Sequence, residues 1–216
     1  MRTNRRLFLA GVILLMLPLV FKAYAGDDRD EVKFRWDILH LASFSPVTVG
    51  PGGSASALAN DNSKITVTGT GKFEPGETEE VTGGGTWQTF SATGVLTGSG
   101  TYRVTSLVRF NLAPGFQTSG LIDNIPGANG DLSDNRAGLL IVNIAYSDGS
   151  KGVLAVSCHL NGGPDFVARP AAPASVFEGI TASKGFVDYW FRVAPVAGVD
   201  GNRTLFHTIG EGEDRD

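Results

Sequence analysis

Cysteine is almost missing from this chain: Cys158 stands alone among 216 residues. One thiol excludes an internal disulfide framework. A chain of this length manages without one, because it can bury roughly 70% of the surface its unfolded form exposes. Cys158 shares its strand parity with Leu154 and Val156, which reads as a buried and inert thiol. Metal-site spacing is absent too. His40, His159 and His207 lie far apart, and no pair has the helical or short-loop separation of a zinc site. The G-x-S-x-G elbow, the P-loop and the zinc-protease helix motif do not occur. No cofactor is implied.

Basic charge is scarce beyond the N-terminus. Arg2, Arg5 and Arg6 precede an apolar run over 7–21, and Ala23-Tyr24-Ala25 follows with the small-x-small pattern of a cleavage site. The run is shorter than the ~20 residues of a membrane-spanning helix, so residues 1–25 read as a cleaved signal peptide and the product as exported, periplasmic or extracellular. Asn4-Arg5-Arg6-Leu7-Phe8-Leu9 also resembles the twin-arginine export signal, while the leucine-rich core suits ordinary secretion. Both routes stay open. The leader takes four bases and no acid, so 18 becomes 14 against 22 acids, a net charge of −8. An acidic domain without a basic cluster excludes nucleic acid as a partner and predicts no stable membrane insertion after cleavage. The partner expected is a small molecule, a glycan or a protein.

Long amphipathic helices are also missing; residues 54–60 read as one or two helical turns at most. What is plentiful is glycine, 29 residues in all, about twice the average share and placed among alternating segments. That pattern belongs to short strands and tight turns. Phe34, Trp36 and Ile38 alternate with Lys33, Arg35 and Asp37. Tyr102, Val104, Val108, Phe110 and Leu112 share a second face, and Val187, Tyr189, Phe191 and Val193 a third. Residues 139–146 and 153–160 are apolar runs joined through Asp148-Gly149, a hairpin signal. Further strands are expected near 176–181 and 203–209, and 113–136 reads as a long loop.

One motif recurs three times: Val67-Thr-Gly-Thr-Gly-Lys-Phe73, Val81-Thr-Gly-Gly-Gly-Thr-Trp87 and Leu96-Thr-Gly-Ser-Gly-Thr-Tyr102. In an extended chain the apolar residue, both glycines and the aromatic ring lie on one face. Antiparallel neighbours would let each ring cover the next strand's glycines. Glycine weakens a strand interior, so it marks a bend, a bulge or close approach of another group. Segment 84–94, with Gly84-Gly85-Thr86, Phe90 and Ala92-Thr93-Gly94, resembles a strand of the dirigent and allene-oxide-cyclase barrels. That resemblance implies a barrel and transfers no site. The expectation is an all-β fold: a single antiparallel small barrel or strongly bent β-sandwich of about eight to nine strands. It would occupy residues 26–209, with 210–216 as an acidic disordered tail.

Candidate chemistry is sparse. His159 shares a face with Val153, Ala155 and Ser157, a small-residue surface able to line a cavity. The Phe186, Asp188, Trp190 and Arg192 face interleaves rings with an acid and a base, a set that can stack on a sugar or hold an apolar ligand by polar anchors. The competing reading is a plain Asp188–Arg192 contact on a solvated face. Asn129, Asp131, Ser133 and Asn135 space oxygens as calcium loops do, but Asp134 and Leu140 depart from the EF-hand pattern, and turn chemistry accounts for them. Asn202-Arg203-Thr204 forms a glycosylation triplet. Two functions follow. The first is a non-enzymatic exported β-domain that binds or shields a ligand or partner, with Trp87, Trp190 and Arg192 as ligand contacts. The alternative is a small barrel isomerase, cyclase or hydrolase, in which His159, Asp188 and His207 supply acid–base groups in the barrel mouth.

Overall fold

Alternating segments become strands almost throughout. The computed structural model describes residues 32–113, 120–126, 132–159, 178–194, 196, 198–199 and 201–209. The leader at 1–25, the tail at 210–216 and residues 127–131 of the calcium-like loop therefore lie outside the described residues. In chain order the first strands are β1 (Lys33–Phe44), β2 (Val47–Gly50), β3 (Ser54–Leu58), β4 (Lys64–Thr68) and β5 (Thr70–Phe73). Next come β6 (Gly84–Phe90), β7 (Leu96–Leu112), β8 (Leu121–Asp123), β9 (Asn135–Arg136) and β10 (Gly138–Tyr146). The last are β11 (Lys151–Cys158), β12 (Gly179–Lys184), β13 (Val187–Tyr189), β14 (Phe191–Arg192) and β15 (Arg203–Ile209). A 3-10 turn at Leu132–Asp134 is the only helical element among the described residues.

All pair in one sheet, with the main order β13-β12-β11-β10-β7-β6-β5-β1-β15-β9. The sheet is mixed rather than purely antiparallel, because β2 and β8 run parallel. It is also not a closed ladder. Among the described residues fifteen strands appear where about eight to nine were expected, because bends divide longer extended stretches. β4 and β5 pair with β6 in one continuous register, Lys64↔Phe90 through Val67↔Trp87 to Thr70↔Gly84, but are separated at Gly69. β13 and β14 are separated at Trp190: Tyr189 pairs with β12, and Phe191 pairs with β3.

The open ladder bends onto itself. Thr204 Oγ1, on β15, donates to the carbonyl of Ser157 on β11 at 2.6 Å. Trp36, Leu140, Ile144, Leu154, Ile180 and Phe206 are fully buried within it, each worth roughly 1.5–3 kcal/mol of burial. Phe34, Phe73, Phe110 and Phe206 form a ring cluster with centroids 4.7–6.3 Å apart in their tilted and edge contacts.

The threefold motif lands in part as its pattern predicts. The Trp87 ring lies over Gly98 and Gly100 of the next strand, where an added Cβ would come within 3.1 and 3.0 Å of it. Tyr102 donates its hydroxyl to Thr68 O at 2.8 Å, and a Cβ on Gly69 would sit 2.2 Å from that hydroxyl. Phe73 departs from the scheme and joins the phenylalanine cluster.

Two expectations are corrected. Residues 54–58 form β3 rather than a helical turn: Ala55, Ser56 and Ala57 are all fully buried, and their small side chains let β3 lie between β4 and β14. Asn202 is no glycosylation acceptor in the folded domain. It is fully buried; its Oδ1 accepts the Ser56 N–H at 2.5 Å, and its amide nitrogen donates to Val193 O.

Candidate functional site

The break at Trp190 creates a groove. β11 supplies Val153 and Ala155, β12 supplies Thr181 and Ser183, and Asp188 and Trp190 complete the wall of a space of about 260 Å³. Val153 and Ala155 belong to the small-residue face read from the sequence, and Asp188 and Trp190 to the aromatic–acid face. The fold brings those two faces together. Trp190 is 58% exposed because the residue between two pairing partners has no neighbouring strand to pack beneath. The Ser183 hydroxyl accepts the Val153 N–H at 3.0 Å and keeps its own proton to donate. The groove thus offers an indole face, a carboxylate and two hydroxyls above a floor of small side chains.

Arg192 leaves this set. Its guanidinium lies beside Glu178, which counters the lowering of its pKa by burial. Trp87 is likewise absent from the groove. It is buried, donating Nε1–H to Thr101 O at 3.1 Å and meeting Tyr146 edge-on at 5.7 Å, with the Lys184 ammonium 4.3 Å above its ring.

His159 sits elsewhere, on a cavity of about 40 Å³ bounded by Leu39, Leu121, Cys158, Glu178 and Arg203. Cys158 is buried there, as its parity predicts. Glu178 accepts the backbone N–H groups of His159 and Thr204, each at 2.7 Å, and the Thr204 hydroxyl at 3.3 Å. Burial pushes its carboxyl up to about 7, against the opposing pull of those hydrogen bonds and of Arg203. The cavity has room for an ordered water or two and little more.

His207 occupies a third place. Its Nε2 is 2.8 Å from Asp123 Oδ2, with both side chains buried. Asp123 Oδ1 also accepts the Ile125 N–H at 3.0 Å. Among the described residues, His207 Nδ1 and both amide atoms of Asn135, its register partner on β9, have no hydrogen-bond partner. His40 is exposed on β1 opposite Gly50. The three expected acid–base groups, His159, Asp188 and His207, therefore stand at three separate sites. Among the described residues, no cluster of three His, Cys, Asp or Glu side chains could hold a metal ion.

Sequence reasoning did not single out Asp123, and it read Asn135 only as one of the spaced oxygens of a calcium-like loop. No spacing could have revealed the first, since 84 positions separate Asp123 from its histidine. No protein-family model, curated protein or solved structure matches this chain.

Proposed function

We propose that this is an exported, non-enzymatic β-domain that binds one sugar ring of an extracytoplasmic glycan in the Trp190 groove. The observation that carries the reading is the meeting of an exposed indole, a carboxylate and two hydroxyls in one open space of about 260 Å³. Sugar rings present an apolar C–H face and an equatorial belt of hydroxyls. An indole stacks on the first, and Asp188, Thr181 and Ser183 suit the second. The separation of His159, Asp188 and His207 favours binding over acid–base catalysis, which requires its proton donors and acceptors within reach of one reacting atom. The positive start and apolar run at 7–21 support export. The interruption at Trp190, between the β12 and β3 partners of the chain on either side, supports a binding edge at that break.

The test is a glycan screen followed by calorimetric titration of the best hit. Trp190→Ala and Asp188→Asn should each weaken binding at least tenfold, with melting temperatures close to that of the parent. Unchanged affinity in both variants would end the reading. A hydrolysed or isomerised glycan would favour the barrel enzyme.

A further inference from the structure

The Trp190 groove does not end at β11. Val153 and Ala155 form its far wall and stand in cross-strand register with Asn143 and Ile141 of β10. Those two in turn face Ser106 and Arg109 of β7. At the near end Asp188 is opposite Ser183, whose hydroxyl holds the Val153 N–H. One row of outward side chains therefore runs through Asp188, Ser183, Val153, Asn143 and Ser106, across five strands. At the ordinary strand spacing the row is about 19 Å long, more than one sugar ring can cover.

Two properties set this row apart from a face that only meets water. The first is its apolar surroundings. Leu140, Val142, Ile144, Leu154 and Val156 fill the core, so Leu139, Ile141, Ala145, Val153 and Ala155 lie on the opposite face. There each is half-buried or exposed. Strands that are apolar on both faces are the mark of a sheet covered on both. The second property is low charge. Between Asp188 and Ser106 the row carries no ionisable side chain. The adjacent row, through Thr181, Ala155 and Ile141, carries none before Arg109, whose Nε donates to Asn111 Oδ1 at 2.9 Å.

A polar pair closes the far end. Asn143 Nδ2 donates to Ser106 Oγ at 2.9 Å, which leaves Asn143 Oδ1 to accept and the Ser106 proton to donate. A sugar hydroxyl uses both functions. We propose that the Trp190 groove is one end of a longer platform, and that its ligand is a neutral, linear oligosaccharide lying across β12, β11 and β10 to a second polar subsite at Asn143 and Ser106. The inference rests on the glycan reading of the groove and adds the direction, length and charge of the chain. One ring stacks on Trp190, the next ones lay their C–H faces on Val153, Ala155 and Ile141, and the last meets Asn143 and Ser106. A 1,4-linked pyranose advances its chain by about one strand spacing, so about four rings fill the row. A chain already held at Trp190 makes the second contact intramolecular, and affinity rises with length.

The experiment titrates the protein calorimetrically with β-1,4-linked oligomers of glucose, mannose and N-acetylglucosamine, two to six rings long. In the series that binds, affinity should rise at least tenfold from two rings to four and then level off. Asn143→Ala should remove most of that gain and leave the two-ring affinity unchanged, whereas Trp190→Ala should weaken every length. Equal affinity at all lengths, or a full gain in a folded Asn143→Ala variant, would overturn the platform and leave the groove reading standing. No binding in any series would overturn both. Concentration-dependent dimerisation in sedimentation, abolished by Ile141→Arg, would make this face a contact between two copies of the chain and would equally overturn the proposal.

Discussion

β10–β11 and β12–β13 are both hairpins turned by a glycine with positive φ, Gly149 at 87° and Gly185 at 60°. In the first, register holds without a break from Gly138↔Cys158 to Ala145↔Lys151, and Leu140, Val142, Ile144, Leu154 and Val156 disappear into the core. The second begins alike, with Ala182 opposite Tyr189. Its returning chain then leaves β12 and resumes against β3 at Phe191. Phe186, Trp190 and Phe191 remain in solvent. A strand with a constant neighbour can turn every second side chain inward. One that changes neighbour midway must present the residue at the change, and here that residue lines a groove.

The sharpest test of this contrast is on the packed hairpin. Leu154 is fully buried, opposite Val142 on one side and Ala182 on the other. Leu154→Ala should cost about 2–5 kcal/mol, through lost burial and the cavity left behind. Urea denaturation reads it as a lower midpoint with an unchanged slope. A loss below about 1 kcal/mol would mean that this hairpin is no more tightly packed than its neighbour.

Glu178 joins the two regions, since it immediately precedes β12 and binds the end of β11 and the start of β15. Its folded carboxyl value, about 7, lies above the ordinary 4.5. Between those values the native state holds more protons than the unfolded chain, so stability falls as pH rises through the window and the loss is complete above it. The expected decline from about pH 5 to pH 8 is on the order of 3 kcal/mol, measured as denaturation free energy against pH. Glu178→Gln should flatten that slope. A profile as steep in the variant as in the parent would assign the titration to another group.

Which of these features could be read from the chain follows from how local each one is. Strands with period two were legible because alternation needs only neighbouring residues, and Asp148-Gly149 announced its own turn. The middle of β7 was not. Its face was expected to include Val108, but register shifts opposite Ile141/Val142 and Asn143/Ile144 leave Val108 and Thr105 unpaired. Leu107 is turned inward instead, and Val108 is 53% exposed. A bulge changes the phase without changing composition. The groove was half legible: each of its two faces showed in its own strand, whereas their meeting depends on β11 and β13 flanking β12. The Asp123–His207 pair and the Glu178 clasp rest wholly on long-range approach, and alternation carries no trace of them.

The smallest expected effect completes the comparison. Trp190 is largely in solvent, belongs to neither ladder segment and lies between two strands that are anchored independently, β13 by β12 and β14 by β3. Removing its ring takes little apolar surface out of the folded interior and leaves no enclosed void. Trp190→Ala should therefore change stability by about 1 kcal/mol or less, against several for Leu154→Ala, when both are measured in the same urea titration. If Trp190→Ala costs as much as Leu154→Ala, the indole is a structural plug across the break, and its exposure serves the fold rather than a ligand. If the cost is small, the fold does not require the indole, and a loss of glycan affinity in Trp190→Ala can be read as a lost contact rather than as lost structure.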